Sequence, residues 1–373
     1  MKSSRSFRWC MLAAAVLAMA VSAIAFAGCD DDPPGTTVEA EATVGAPPDI
    51  RIDPTPIDEP TPGPAVTTLV FTGDIIPARC TNARLEEVGH RAAVFAVHDQ
   101  LASADLTIGT LDSTISTVAR PIGCTPTFNL AAPAAAVDML TYGGFDVISH
   151  AANHIKDCGA VSCGDQAMFE TLWLLRSVGI MPVGSGGNLR DARAPAVVER
   201  NGIWFAFLAY DDIASYYHAT ESSAGSAPMD AATIAQDVAA ARNFADVVIV
   251  LPHWGVEYVA EPTARQRAFA QAAAAAGADL VVGNHSHWVQ AHEQIGETFV
   301  AYALGNFVFD QDWSRETQQG AMLEVTFTND AISGYRYIPV RIHDQYQPRI
   351  AEWDEAWEIL RRIEAASDLL RTP

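Results

Sequence analysis

Positive charge is what this sequence has least of. Lys and Arg number 23 against 45 Asp and Glu in 373 residues, a formal net charge of −22. Nucleic-acid binding needs a cationic face that displaces counterions, so the composition argues against nucleic acid as a partner. The same field repels a long polyanion at distance. An anionic substrate must therefore be captured locally, by metal ions or a few arginines. Internal repeats at solenoid spacing are absent, and the stretch Gly184 to Gly187 lacks the spacing of a phosphate-binding loop and reads as a turn. Cysteine is sparse at six. Cys10 and Cys29 belong to the N-terminal segment, leaving Cys80, Cys124, Cys158 and Cys163. An even number in an exported chain points to disulfides, with three pairings possible and Cys158–Cys163 the simplest local one. Thiolate ligation of a metal is the competing reading.

What is present begins with an address. Lys2, Arg5 and Arg8 precede an uncharged apolar run from Trp9 to Ala27, the pattern of an export signal. It ends Phe26-Ala27-Gly28-Cys29, which is similar to the bacterial lipoprotein cleavage box, with Phe26 the unusual member. Residues 1–28 are thus expected to be a signal peptide and Cys29 a lipid anchor; an uncleaved transmembrane anchor is the alternative, since the run nearly spans a bilayer. Either places the protein at the cell membrane on its extracytoplasmic face. Loss of 1–28 removes three positive charges and no acids, taking −22 to −25. Residues 29–65 hold nine of the 21 prolines and many acids, and read as an extended tether.

From Thr67 the chain alternates strands and helices. Strands are expected at Thr67–Phe71, Asp105–Leu111, Phe145–Ser149, Ile180–Val183, Trp204–Ala209, Asp246–Leu251, Asp279–Val282, Thr298–Leu304 and Met322–Phe327. Helices are expected at Leu85–Gln100, Ala131–Leu140, Asp165–Leu175 (with Phe169, Leu172 and Trp173 on one face), Ala231–Phe244, Pro262–Ala276 and Trp353–Leu370. The alternation predicts an α/β layered fold. A main domain is expected over 66–340, followed by a C-terminal extension over 341–373.

Strand ends carry the chemistry. Gly283-Asn284-His285-Ser286-His287 follows a buried-strand pattern and offers two imidazoles two residues apart. The Asp246–Leu251 strand runs into Pro252-His253. Asp74, Asp112 and the pair Asn153-His154 each follow another strand. Open α/β sheets bind ligands outside the carboxyl ends of their strands. Carboxylates and neutral imidazoles gathered there suit divalent Mn, Fe or Zn, and the number of donors suits two ions. Any one of these histidines alone would read as an ordinary loop residue.

The ordered stretches Thr72-Gly73-Asp74…Arg79, Ala104-Asp105-Leu106…Leu111-Asp112, Ala152-Asn153-His154…Asp157…Gly159, His253-Trp254-Gly255-Val256-Glu257-Tyr258, Gly283 to His287 and Tyr302…Leu304-Gly305-Asn306-Phe307-Val308-Phe309-Asp310 resemble the CapA family of capsule-synthesis proteins, associated with bacterial poly-γ-glutamate. The resemblance spans roughly Thr67 to Phe327. It implies a calcineurin-like metallophosphoesterase architecture, a four-layer αββα sandwich. It also implies that Asp74, Asp112, Asn153, His154, His253, His285 and His287 are metal ligands, and that Arg79 and Asn306 contact substrate or shape loops. Glu257 would be an outer acid or a solvated loop charge. His154 or His253 would serve as general acid. Two departures stand out: Thr110-Leu111-Asp112 replaces the family's Asn-Leu-Glu, and Ala152 replaces the first Asn of Asn-Asn-His. The expected activity is that of a metal-dependent hydrolase or transferase on an anionic envelope substrate. The alternative is a non-catalytic subunit of a polymer synthesis and export complex, with polyglutamate synthesis or export subunits as partners.

Overall fold

A computed structural model describes residues 64–371. The leader, Cys10, Cys29 and the tether up to residue 63 lie outside the described residues. In chain order the main strands are β1 (Val66–Ile75), β2 (Leu106–Leu111), β3 (Val147–Ser149), β4 (Met181–Val183), β5 (Ala196–Arg200), β6 (Ile203–Asp211) and β7 (Val247–His253). They continue as β8 (Leu280–Val282), β9 (His292–Ile295), β10 (Thr298–Ala301), β11 (Asn306–Val308), β12 (Gln319–Thr328), β13 (Ala331–His343) and β14 (Gln347–Ile350). The longer helices, with one short one, are α1 (Arg79–Val88), α2 (Val137–Tyr142), α3 (Gln166–Ser177), α4 (Ala231–Ala241), α5 (Ala264–Ala275) and α6 (Trp353–Arg371).

These strands form two large sheets. The first has the order β14-β13-β12-β1-β2-β3-β4, with β11 also paired to β1; the second has the order β9-β10-β8-β7-β6-β5. Pairing is parallel through β1-β2-β3-β4 and through β6-β7-β8-β10, and antiparallel at the outer strands. Period-two alternation assigns each face. Phe205 and Phe207 of β6 and Val247, Ile249 and Leu251 of β7 point inward, where they meet Leu69 and Phe71 of β1 and Leu106 and Ile108 of β2. Ala206, Leu208, Val248 and Val250 point outward onto Ile234 and Val238 of α4 and Phe269 and Ala273 of α5. On the far side of the first sheet, Val70 and Ile148 meet Leu85 of α1, Met139 and Leu140 of α2, and Leu175 of α3. Helices, sheet, sheet, helices: the four-layer αββα sandwich is the observed fold. Each large apolar side chain held between layers contributes about 1.5–3 kcal/mol.

Several local expectations change. The helix expected over Leu85–Gln100 stops at Val88, because Gly89 adopts φ 91° and its N–H caps the Leu85 carbonyl; short 3-10 turns follow. The alanines of 131–140 form a short strand, then a 3-10 turn, and only Val137–Tyr142 is α-helical. Helix α3 buries Met168, Thr171, Leu172 and Leu175, so Phe169 and Trp173 face solvent instead of sharing the buried face with Leu172. Asp165 makes no side-chain cap; its carboxylate pairs with Lys156. Helix α5 is capped by Thr263 in a reciprocal box with Gln266. Within that extension, residues 341–371 are built into the same body: β13 runs through residue 340, β14 extends the first sheet, and α6 buries Ile359 and Ile363 against Val289 and Ala321.

Candidate metal centre

The carboxyl ends of the parallel strands in both sheets converge on one buried polar cluster. Asp74 stands near the end of β1, in register with Thr110 of β2 and Asn306 of β11. Asp112 follows β2, its N–H donating to the Ile75 carbonyl. Asn153 and His154 lie in the loop after β3, and His253 ends β7. Beyond β8, Asn284 forms a bridge with His253, and its amide donates to the Thr110 hydroxyl (2.9 Å), tying the second sheet to the first. Gly283 makes this approach possible: a Cβ there would lie 2.2 Å from Trp254 Nε1 and 2.3 Å from the Tyr302 carbonyl. His285 (φ 99°) and His287 (φ 57°) both occupy the left-handed region, as do Arg79 and Tyr258 beside them. Left-handed non-glycine residues collect at functional sites, where surrounding structure holds them against strain.

The seven residues proposed as ligands come together. His253 Nε2 lies 2.8 Å from Asn153 Oδ1, 3.2 Å from His285 Nδ1 and 3.7 Å from Asp112 Oδ2. His253 Nδ1 is 3.9 Å from Asp74 Oδ1, and His287 Nδ1 is 3.3 Å from Asp74 Oδ2. Backbone N–H groups of His285 and His154 donate to Asp74 and Asp112 at 3.2 Å each. His154 is the seventh member, and its ring is bound to Asp157, with Nδ1 and Oδ2 2.6 Å apart.

Among the described residues no permanent cation balances this cluster. Asp74 Oδ1, Asp112 Oδ2 and His253 Nδ1 are buried with no hydrogen-bond partner. Among the described residues no arginine or lysine forms an ion pair with either carboxylate. Burial, reinforced by nearby Asp74, pushes the Asp112 carboxyl up to about 7. Burial and neighbouring imidazoles hold His253 and His285 well below the usual histidine range, as neutral nitrogen donors. Burial opposes charge on His154 and His287 as well, but Asp112 and Asp157 raise the first, and Asp74 and Asp112 raise the second. Orphaned carboxylate oxygens and neutral imidazoles are the donor set of a divalent cation, and the residues fit one. Donors on one tetrahedral ion at ordinary bond lengths stand about 3.4 Å apart, close to the separations found here. Even so, among the described residues no three His, Cys, Asp or Glu side chains open around a common point as a ready-made ligand group. The rings instead close on one another, notably His253 on Asn153 and His285.

Other expected residues have definite places. Arg79 is engaged at all three nitrogens: Nε and Nη2 donate to Asp310, Nη1 donates to the Thr127 carbonyl (2.9 Å), and the guanidinium lies over Phe309. That geometry gives Arg79 a loop-shaping role. Asn306 accepts from or donates to each of its neighbours, with Oδ1 2.9 Å from His287 Nδ1 and Nδ2 bonded to Thr317 O and Gln311. Of the two candidate acids, His253 is fully buried and His154 keeps some solvent access. Glu257 is exposed and, after Asp74 and Asp112, adds to the upward push on the His287 ring. Sequence reasoning missed the role of Asp157, although its His-x-x-Asp spacing was visible. Asp157 Oδ2 also accepts from the Leu130 N–H, so one carboxylate fixes both the imidazole and the 117–130 loop. The disulfides are Cys80–Cys124, joining the first turn of α1 to a loop, and Cys158–Cys163, within the loop after β3, which excludes thiolate ligation by these four. A cavity of about 710 Å³ beside Arg242, Asp279 and Tyr335 lies at the opposite, amino-terminal ends of the strands, away from this chemistry.

Comparison with known proteins places the chain. It is 29% identical to the PGA biosynthesis protein CapA of Bacillus subtilis (strain 168) over 281 residues, 75% of this chain and 72% of that protein. It is 28% identical to the capsule biosynthesis protein CapA of Bacillus anthracis over 284 residues, 74% and 68% of the two chains. Among solved structures, a putative 5'-nucleotidase from Staphylococcus aureus aligns with TM-score 0.46 and 12% identity over 80% of this chain and 58% of that one. The family model of the bacterial capsule synthesis protein PGA_cap matches residues 68–311, which contain every residue of the cluster, and the chain belongs to that family.

Proposed function

We infer that this protein is a membrane-tethered, metal-dependent hydrolase or transferase acting on an anionic substrate of the cell envelope, in the service of poly-γ-glutamate capsule synthesis or export. The observation that carries the reading is the pair of buried carboxylates, Asp74 and Asp112, each with an oxygen lacking any partner beside the neutral imidazoles of His253 and His285. The capsule connection comes from the relatives named for PGA and capsule biosynthesis. Tethering rests on the leader and Cys29; among the described residues no helix is long and apolar enough to cross a membrane.

Asp74, Asp112, Asn153, His253, His285 and His287 would hold one or two divalent ions, with His154 at the edge. Bound there, such ions supply Lewis-acid charge and an acidified water. The chain's own residues do the rest. Asn284 fixes the spacing of the two sheets by bonding Thr110 and Thr72. Asp157 engages His154 Nδ1, which leaves Nε2 as the atom from which a proton passes to a leaving group. Neighbouring Asp112 and Asp157 favour that protonated state. His253 is enclosed and serves as a ligand.

Elemental mass spectrometry of the purified chain, beside the His285→Ala, His287→Ala double variant, tests the reading. One to two transition-metal ions per wild-type chain, lost in the variant, and phosphoesterase activity abolished by chelation and restored by Mn²⁺ or Zn²⁺ are expected. A folded wild-type chain that stays metal-free after loading would overturn it in favour of a non-catalytic assembly subunit.

A further inference from the structure

The mouth of the cluster carries aromatic side chains whose exposure no packing explains. Trp313 is 60% exposed, in the loop between β11 and β12. The other exposed tryptophans among the described residues lie on α3, α6 or the start of β6; Trp313 sits on irregular backbone that is nonetheless fixed. Thr317 donates to the Gln311 carbonyl, and Gln318 donates to the Asp312 and Ser314 carbonyls. The indole meets Tyr258 edge to face, with centroids 4.7 Å apart, and the Tyr258 ring in turn stacks at 6.0 Å on His287. Tyr258 holds this pose at φ 63°, with its hydroxyl accepting from the Gln311 side chain, whose Oε1 accepts from Nδ2 of Asn306, the partner of His287. A strained tyrosine thus links a candidate ligand to an exposed, immobilised indole.

A second loop hangs from the same support. Asp310, three residues before Trp313, pairs with Arg79, and Arg79 Nη1 donates to the carbonyl of Thr127, the neighbour of Phe128. Phe128 is 90% exposed. On its other side Asn129 accepts from Gly159, and the Leu130 N–H donates to Asp157. Two exposed aromatic rings therefore stand on loops anchored to the Arg79–Asp310 pair at the rim. The cations at the rim are already engaged: Arg79 as above, and Lys156 with Asp165 and the Ala224 carbonyl. These two cationic side chains are not free to recognise the part of a substrate that extends out of the cluster. The aromatic faces are.

We propose that Trp313, braced by Tyr258 and joined by Phe128, forms a stacking subsite, and that the substrate is a phosphoester whose phosphoryl group enters the cluster while a ring, a sugar or a nucleobase, lays one face on the indole. This deepens the metal-dependent reading above and rests on it. A ring face presents apolar C–H or π surface to indole, and one such stack is worth about tenfold in affinity.

The test is calorimetric titration of the full chain, detergent-solubilised and loaded with Mn²⁺, with inorganic phosphate, glycerol 1-phosphate, glucose 1-phosphate and uridine monophosphate. Glucose 1-phosphate or uridine monophosphate is expected to bind about tenfold more tightly than ring-free glycerol 1-phosphate, and whichever gains identifies the ring class. Trp313→Ala should bring that ratio close to one, Trp313→Phe should keep most of it, and Phe128→Ala should reduce it. Phosphate binding with no advantage for either ring, or a ratio unmoved by Trp313→Ala, overturns the subsite and leaves the metal reading standing. If none of the four compounds binds the loaded chain, including inorganic phosphate, the phosphoester subsite falls, and the metal content measured as above decides the metal reading separately.

Discussion

At the scale of single residues, the cluster trades stability for unpaired charge. Asp112 is buried without a cation, and its carboxyl is pushed up to about 7 by that burial. Asp112→Asn removes the charge and nearly keeps the shape. In the metal-free chain at pH 8 it should raise unfolding free energy by about 1–3 kcal/mol, while abolishing any gain from added Mn²⁺. Differential scanning calorimetry with and without metal reads both. Gly283 is the opposite case, a residue whose lack of a side chain is required. Gly283→Ala would drive a methyl into Trp254 and the Tyr302 carbonyl, which are themselves joined by a 2.8 Å hydrogen bond. Overpacking of this kind costs about 1–3 kcal/mol, visible as a lower urea midpoint and reduced metal retention. His253, His285, His287 and Asp74 were legible at this scale because each follows a strand-like run. Asp157, Tyr258 and Trp313 were not legible as site residues, because their roles arise from contacts across 3 to 55 residues of sequence that no local pattern records.

At the scale of elements, strand ends and loops decide how firmly the site is held. His150, just past β3, is buried with its Nδ1 2.9 Å from the Ser185 hydroxyl and its Nε2 unpartnered. Burial pushes its pKa down to about 4 from 6.5. Between those values the unfolded chain takes up a proton that the folded chain refuses, so stability is full above about pH 6.5 and falls as pH drops towards 4. The loss is on the order of 3 kcal/mol. Denaturant titrations across pH 4–7 should show a shallower slope in His150→Gln. The two disulfides should differ in strength. Cys80–Cys124 closes a loop of 44 residues and Cys158–Cys163 one of 5. Chain entropy gives about 4 and about 2 kcal/mol respectively, so the double serine variant of the first pair should lower the thermal midpoint more than that of the second. The helix once expected over Leu85–Gln100 shows where periodicity misleads: apolar spacing continues past Gly89, but its left-handed φ ends the helix. In α3 the spacing of Phe169, Leu172 and Trp173 admitted two faces, and packing selected the one carrying Met168, Leu172 and Leu175, with Leu175 against the first sheet and Met168 against Ala152 and Ile155.

At the scale of the whole molecule, the two sheets are locked through the same cluster that would bind metal. Asn284 reaches from β8 to Thr72 and Thr110, while His287 and His253 approach Asp74 across the sheet boundary. Ions bound there cross-link the sandwich as well as supplying chemistry. Added Mn²⁺ or Zn²⁺ at 100 times its Kd should therefore stabilise the fold by about 2.7 kcal/mol, and EDTA should reverse it; scanning fluorimetry with the His285→Ala, His287→Ala variant as control checks this.

The sequence by itself determined the layered α/β class, most strand positions, the acidic balance and the set of metal-type side chains, because each is written in local hydrophobic period, charge count or strand-end position. Tertiary structure alone decided that both sheets present those ends at one point. It chose Cys80–Cys124 from the possible pairings. It also showed Arg79 already committed to Asp310, and joined 341–371 to the main body through the 13-residue strand β13. These outcomes depend on sheet order and on contacts between residues far apart in the chain, where the free energy lies in the meeting of two surfaces and neither segment encodes it alone.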